Sequence, residues 1–544
     1  MLDRARSSPW LLPLVLTAVA AIALFVRLDE PARIVFDETY YVGDAKDYLT
    51  SGVEDSFSVH PPIGKWLIAL GIALFGDDPF GWRAASALAG TLTVLLTYLM
   101  GLRLLRDRAL AALAGVLLLT DGLFFVQART SMLDIFLALF VALAAWGLLV
   151  DHDRRRLGAR HDLPDDAAAT IAGRYRWLAG VALGLAVATK WSGLLALGAA
   201  GSLVLGWELV ARWRHDGSIL ARPLRLVGSM GATLVLVPAL VYLASYVPWL
   251  VQYEHAKPSS SCEPAEDAPL SLADRFEGLW CYHGAVWDFH RGLDADHPYR
   301  APAYTWPVLA RPVVYDWETC KDERAAGVPT ENEDGELVEP EPCVVAEGDA
   351  AEIIALGNPV LWWLFLPAVI PLLAGAVARD PRAWFLMAFW GMQFAPWLVP
   401  PMGSRPVFLF YMTPVVPFLA LGMAYACRYV AERRDLVRPT LGALVAAAAA
   451  LGLGFVTGTG APDHWLWAGG AYLGGAVVAS VITRRRGDLE PSPLPDRWNP
   501  GYTAAIVLGV LGIAAFVYFY PVWTGLALPE EAIRRRWWIQ PGWI

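Results

Sequence analysis

Apolar runs of about 20 residues recur along the chain, near 10–27, 82–104, 109–126, 132–150, 177–190, 192–211, 226–248, 359–377, 384–400, 406–427, 439–457, 464–483 and 502–522. Each approaches the length an α-helix needs to cross the roughly 30 Å hydrocarbon core of a bilayer. The pattern predicts an all-α polytopic membrane protein of about 11 to 13 transmembrane helices. Two shorter stretches interrupt the rhythm after the first run. Asp44 to Leu49 reads as one or two helical turns, and Ile63 to Phe75, led by Pro61-Pro62, is apolar but too short to span. A run of that length suits a helix lying at the interface, so the first outer loop is expected to be ordered. The polar stretch Asp151 to Arg176 reads instead as a cytoplasmic connector, partly disordered. The division that follows is an N-terminal membrane module, 1–249, with its outer loop 28–80; a polar loop, 250–357; and a C-terminal membrane module, 358–544.

Composition excludes an ordinary soluble domain, because 56% of residues are hydrophobic, only 17% are charged and the mean hydropathy is +0.43. No P-loop or dinucleotide fingerprint is present, and nothing in the chain points to nucleic acid. Basic residues set the orientation: Arg4 and Arg6, Arg103 to Arg108, Arg154 to Arg156, Arg212 and Arg214, Arg433 and Arg434, and Arg484 to Arg486 fall on one alternating side. Lys and Arg resist translocation, so that side is the cytoplasm. The loops holding Asp37-Glu38 and residues 250–356 then face outward. Arg534 to Arg536 conflict with this count, and the adjoining Trp537-Trp538 suggests an interfacial anchor. The first span lacks a small-residue cleavage site and is expected to be retained. Four of the five cysteines, Cys262, Cys281, Cys320 and Cys343, lie in the long outer loop. An oxidising compartment lets them pair, most simply Cys262 with Cys281 and Cys320 with Cys343, while Cys427 sits in a span and is packed.

The chemistry gathers on the outer side. Phe36-Asp37-Glu38 places two adjacent carboxylates beside the membrane, with Phe36, Tyr40 and Tyr41 supplying the apolar wall that raises a carboxylate pKa. Only five lysines stand against 38 arginines. Two of them, Lys65 after His60-Pro61-Pro62 and Lys190 before Trp191, fall at the depth of Asp37, as do Arg129, Asp134 and Arg405. Cations at span ends commonly snorkel to the interface. Jointly, though, Lys65, Arg129, Lys190 and Arg405 describe an anion site next to a carboxylate base. A lipid-linked phosphate leaving group fits that pairing: cations stabilise the charge on the departing phosphate, and the carboxylate takes the proton of an incoming hydroxyl. Asp37, Glu38 and His60 also admit a divalent cation, but no spacing of ligands is diagnostic, and the reading favours no obligatory metal.

Phe36-Asp37-Glu38, His60-Pro61-Pro62-Ile63-Gly64-Lys65 and Thr189-Lys190-Trp191-Ser192-Gly193 together resemble the protein O-mannosyltransferases. His297-Pro298-Tyr299 through Trp306-Pro307 and Arg311-Pro312, Gly357-Asn358-Pro359, and Ser404-Arg405 through Tyr411-Met412-Thr413-Pro414 continue the resemblance in order over residues 30–420. It points to a bacterial, actinobacterial-type member, in keeping with an Arg- and Ala-rich chain. The resemblance implies a GT-C type glycosyltransferase that moves mannose from polyprenyl-phosphate-mannose to Ser or Thr of secreted or membrane proteins, with inversion, at the outer face of the cell membrane. By analogy Asp37 is the general base and Glu38 positions acceptor or donor. Arg129, Lys190 and Arg405 hold the lipid phosphate, and His60, Lys65, Asp134, Tyr41 and Trp191 support the donor or acceptor. Acceptors delivered during export make the Sec translocon an expected partner. The polar loop is too short for the extra trefoil domain of eukaryotic relatives; its Trp280, Tyr282, His283, Trp287 and Tyr304 offer an aromatic face for sugar or peptide, or a small disulfide-closed core. A transferase using the same donor for a lipid or cell-wall glycan is the alternative. A transporter or flippase is disfavoured, because the charges cluster at one face and no halves repeat.

Overall fold

The computed structural model describes residues 10–54, 59–160, 165–217, 223–253, 271–320, 330–331, 337–338, 345–399, 405–432 and 499–538. Helices α1 (Leu11–Phe25), α2 (Glu38–Thr50), α3 (Ile63–Phe75), α4 (Pro79–Leu105), α5 (Arg108–Leu119), α6 (Gly122–Arg129), α7 (Leu133–Arg160), α8 (Asp165–Val187), α9 (Gly193–Asp216) and α10 (Leu226–Ser245) form the N-terminal part. After α11 (Val247–Val251) and α12 (Leu272–Gly292) come strands β1 (Val313–Thr319), β2 (Thr330–Glu331), β3 (Leu337–Val338) and β4 (Asp349–Ala355). Helices α13 (Pro359–Val377), α14 (Pro381–Phe394), α15 (Val416–Glu432) and α16 (Pro500–Thr524), strand β5 (Leu528–Pro529) and α17 (Glu530–Arg534) complete the order. Among the described residues seven helical segments are long and apolar enough to span, and α5 with α6 makes an eighth if that pair, bent by 63°, is one crossing. The chain is therefore a multi-pass membrane protein. The runs predicted near 439–457 and 464–483 lie outside the described residues.

Burial sorts the spans. The apolar windows of the Leu409–Glu432 span and of α7 are 94% and 83% buried, whereas those of α9, α10 and α16 are 28%, 17% and 22% buried. With lipid as solvent on the outside, the exposed Leu236, Leu240, Ile506 and Val517 face a medium as apolar as themselves. The protein core lies around α4, α7, α13 and α15.

Three findings depart from the sequence-based expectation. The connector 151–176 is largely helical: α7 runs on to Arg160, and α8 starts at Asp165. Asp165-Asp166 followed by three alanines is a favourable first turn, since acids suit a helix N-terminus and Ala has the highest helix propensity. The expected single crossing at 109–126 is broken at Thr120-Asp121. Asp121 caps α6 through the Phe124 amide, and Gly122 packs so closely on Trp523 that an added Cβ would lie 1.9 Å from the ring. Nor is the fold wholly helical, because β1, β4 and β5 form an antiparallel sheet over the end of the bundle that carries residues 28–54. Trp537 is buried, with its indole N–H on the Glu352 carboxylate of β4 at 3.1 and 3.2 Å, so it ties the C-terminal segment to the sheet, while Trp538 is exposed. Arg534 and Arg535 pair with Glu530 and Glu531.

The segment 28–80 is fixed from three sides. α3 has the predicted limits and crosses α4 at Gly71 and Gly81; a Cβ on Gly71 would stand 2.4 Å from the Gly81 carbonyl oxygen. Arg33 binds Asp316 of β1 through two hydrogen bonds, 2.7 and 3.1 Å, and lies 3.2 Å from Glu318. Lys65 is fully buried, 2.7 Å from Glu54 and 3.2 Å from Asp44, and Tyr48 and Tyr282 also donate to Glu54. This last knot ties α2, α3 and α12 together. Cys281 of α12 and Cys320 each take part in a disulfide. Their expected partners, Cys262 and Cys343, lie outside the described residues. Cys427 is buried and unpaired, as expected of a packed span residue.

Candidate active site

The turn before α2 decides which way the two carboxylates point. Phe36 takes a left-handed φ of 48°, uncommon for a non-glycine residue, and its ring is held by stacking on Tyr315 at 4.4 Å and by edge contact with Phe410 at 5.8 Å. Tyr315 reaches it from a bulge in β1: Val314 pairs with Ile354 and Asp316 with Ile353, leaving Tyr315 as the extra residue. Asp37 then occupies the N-cap position of α2, while Glu38 begins the helix.

The carboxylates part company. Glu38 is fully buried and saturated: one oxygen accepts from Arg83 Nε (2.8 Å) and the Ser131 amide (2.9 Å), the other from Arg83 Nη2 (2.9 Å) and the Val35 amide (3.0 Å). Arg83 spends its remaining donors on the carbonyls of Leu28, Pro31 and Arg33, so all five of its N–H groups are used. Glu38 is thus a clamp between the segment before α2, α4 and the α6–α7 turn, with no oxygen left for substrate. Asp37 has no such partner. Burial raises its carboxyl from 3.8 to about 6; Lys190 opposes the shift, Asp134 adds to it, and a hydrogen bond from Tyr41 lowers it.

Lys190 comes to this group from the turn between α8 and α9. Its ammonium lies 2.8 Å from Asp134 at the start of α7 and stands 5.0 and 5.6 Å from the ring centroids of Tyr411 and Phe410. Burial alone depresses its pKa, but the Asp134 carboxylate and Tyr411 outweigh that and leave it raised, so Lys190 stays cationic. His60 lies in the same electrostatic neighbourhood. Burial, then Lys190, His290, Lys65 and Arg405, push it well below its ordinary range and hold it neutral.

Arg405 approaches through α12. Its Nη1 donates to His290 Nδ1 at 2.7 Å and to the His290 carbonyl at 3.1 Å. A guanidinium only donates, so Nδ1 is bare and Nε2 carries the proton, which it gives to the Val59 carbonyl at 3.1 Å. Burial and the facing Arg405 push His290 down to about 4, which keeps this neutral tautomer. Among the described residues Arg405 has no carboxylate partner. Trp191 is fixed by a directed chain, its indole N–H donating to Tyr242, Tyr242 to His283 Nε2, and His283 Nδ1 to the Leu279 carbonyl, over 2.9, 2.8 and 2.7 Å.

Asp37, Tyr41, His60, Asp134, Lys190, Trp191 and Arg405 thus form one neighbourhood. Three expected members do not join it. Glu38 and Lys65 are consumed in the buried knots described above. Arg129 closes the C-terminal end of α1, donating to the carbonyls of Ala23, Leu24, Val26 and Arg27. Those helix-end carbonyls satisfy it as a phosphate would. Sequence reasoning quoted Tyr411 only as part of a motif and passed over Tyr315, Arg83 and His290. His283 and His290 stand seven residues apart on one helix face, a spacing that marks both. No group of three or more His, Cys, Asp or Glu side chains among the described residues is placed to hold a metal ion.

Comparison with known proteins identifies the family and the fold. The family model described as dolichyl-phosphate-mannose-protein mannosyltransferase matches residues 14–82 and 77–253, and the model for the C-terminal four-transmembrane region of protein O-mannosyltransferase matches residues 275–459. The chain belongs to this family. A polyprenol-phosphate-mannose–protein mannosyltransferase of Mycolicibacterium smegmatis is 34% identical over 451 residues, covering 78% of this chain and 82% of the relative. The Corynebacterium glutamicum enzyme of that name is 32% identical, covering 72% and 77%. Among solved structures, the Saccharomyces cerevisiae Pmt1-Pmt2 complex bound to the sugar donor shares the fold with a TM-score of 0.64 at 13% identity, covering 98% of this chain and 92% of that one. ArnT from Cupriavidus metallidurans does so at 0.51 and 19%, covering 96% and 77%. As a family member the chain is a membrane glycosyltransferase with the GT-C fold.

Proposed function

We propose that the chain transfers mannose from a polyprenyl-phosphate-mannose to Ser or Thr hydroxyls of exported or membrane polypeptides, at the extracytoplasmic face of the cell membrane. The observation that carries this reading is Asp37, its carboxyl raised to about 6, beside the Lys190 that Asp134 holds, with Arg405, seated on His290, joined to the same cluster through His60. In the proposed step the acceptor hydroxyl gives its proton to an Asp37 oxygen as its oxygen bonds to the anomeric carbon. The bond from that carbon to the phosphate oxygen breaks, and the phosphate leaves with the electron pair. Lys190 and Arg405 stabilise the charge that builds on it. With Asp37 as base the step is a single displacement, hence inverting; the neighbouring carboxylates are engaged, Asp134 by Lys190 and Glu38 by Arg83. A base whose pKa lies near the operating pH is suited to this transfer.

The outward orientation rests on the alternation of basic loops. An outward site meets polypeptides as they emerge, which makes the export translocon the proposed partner for acceptor delivery. The transfer is proposed to need no obligatory divalent ion, and unchanged rates under a chelator are the expected result. Purified chain given radiolabelled polyprenyl-phosphate-mannose and a Ser/Thr-rich peptide should label the peptide. Label that moves only into lipid or cell-wall glycan would overturn the acceptor assignment while keeping the donor.

A further inference from the structure

At the opposite end of the bundle a cavity of about 310 Å³ opens between the ends of α4, α7, α9 and α15 and the α13–α14 turn. Its lining includes Arg103, Arg106, Arg382 and Arg428, with His152 stacked on Trp207 at 4.0 Å. Three carboxylates answer three of the arginines: Asp153 meets Arg103 at 3.2 Å, Asp380 meets Arg382 at 2.7 Å, and Glu432 meets Arg428 at 2.6 Å. Arg106 is exposed, ends α4 in a left-handed conformation, and has no ion-pair partner among the described residues. Arg428 keeps a buried Nε with no hydrogen-bond acceptor. Arg106 without an ion-pair partner and one desolvated Arg428 donor thus remain in one cleft, whose other walls are Leu104, Leu149, Pro381 and Trp207; Asp107, which accepts from Tyr502 and the Leu110 amide, also faces Arg428.

We propose that this cleft binds the phosphate headgroup of an anionic phospholipid of the cytoplasmic leaflet. Its depth supports a lipid, because helix ends that carry the basic loops lie at the headgroup level of the inner leaflet. Its lining supports one too: the phosphodiester meets Arg106 and Arg428, and the glycerol and first acyl carbons meet Trp207 and the two leucines. The volume is at the small end for ligand sites of roughly 300–1,000 Å³ and matches a phosphoglycerol headgroup better than a nucleotide sugar. The cleft is separate from the Asp37 neighbourhood and stands whether or not that site transfers mannose.

The test is native mass spectrometry of the delipidated full chain in detergent, titrated with phosphatidylglycerol, phosphatidylcholine or inorganic phosphate. Phosphatidylglycerol adducts retained at least tenfold better than phosphatidylcholine, and lost in Arg106→Gln/Arg428→Gln, are the expected result. Arg106→Gln alone, at an exposed position, should weaken retention without unfolding the chain, which guards against a double variant that fails to fold. Equal retention of the two lipids, or adducts that survive both variants, would overturn the proposal. Displacement of the lipid by micromolar inorganic phosphate would assign the cleft to soluble phosphate and also overturn it.

Discussion

Glu38→Gln separates the two carboxylates that sequence alone places side by side. In the native chain Glu38 accepts four hydrogen bonds between 2.8 and 3.0 Å, and its charge opposes an Arg83 side chain that is 1% exposed. The Gln oxygen can still accept from Arg83 Nε and Ser131, but its amide nitrogen then faces Arg83 Nη2 and the Val35 amide, donor against donor. Losing one charge-assisted bond, at about 1.5–3 kcal/mol, and orphaning one buried amide, at about 1–3 kcal/mol, gives about 2.5–6 kcal/mol. The usual cost of breaking a buried ion pair, about 3–5 kcal/mol, falls inside that range. Set against a net stability of about 5–15 kcal/mol, this is at least about a sixth of the total. Tryptophan fluorescence during denaturant titration in detergent should show the loss, while turnover per folded molecule falls less than about tenfold, short of the 10²–10⁴ a general base contributes. A Glu38→Gln enzyme that unfolds like wild type yet has lost turnover would refute the clamp and return Glu38 to the chemistry.

Because burial holds Asp37 near 6, the transfer rate should rise as pH increases through about 6 and then level, the ionised carboxylate being the active form. Asp134→Asn removes a charge that raises Asp37 and frees Lys190 to lower it, so the acidic limb should move to lower pH; an unmoved limb would contradict the coupling. Lys65→Met should cost about 3–5 kcal/mol of stability, because it leaves Glu54 and Asp44 buried without their cation. Its donor KM, read on the folded fraction, should stay within about threefold, and a larger rise would place Lys65 in the donor site. Arg405→Ala should raise the donor KM by about tenfold or more, since a hydrogen bond to a charged group contributes about 1.5–3 kcal/mol. An acceptor KM that rises in its place would reverse the assignment.

The sequence carried the outline of this fold because lipid imposes lengths. Apolar runs near 20 residues and the short helix Ile63–Phe75 are legible without tertiary knowledge, and α3 has the predicted limits. The sheet was not, since β1 and β4 are seven residues each and owe their pairing to strands distant in the chain. The connector was misjudged because charge content was read ahead of the helix propensity of its alanines. At the site, Asp37, Lys190 and Asp134 could be proposed from charge at one membrane depth. Their separation from Glu38, Lys65 and Arg129 could not, because a buried cation serving a helix end and one awaiting phosphate look alike in sequence. What distinguishes them is how many donors are already taken: all five N–H groups of Arg83, four carbonyl contacts of Arg129, and for Arg405 a single nitrogen on His290.

Asp37 carries the proposed chemistry, and its removal tests it most directly. Asp37→Asn should be assayed in one preparation for mannose transfer to a Ser/Thr peptide and for binding of the polyprenyl-phosphate-mannose donor. A fall in transfer of at least about 10²-fold, with donor affinity within about threefold of wild type, is the predicted result. A variant that keeps more than about a tenth of the wild-type rate would contradict the assignment of Asp37 as base.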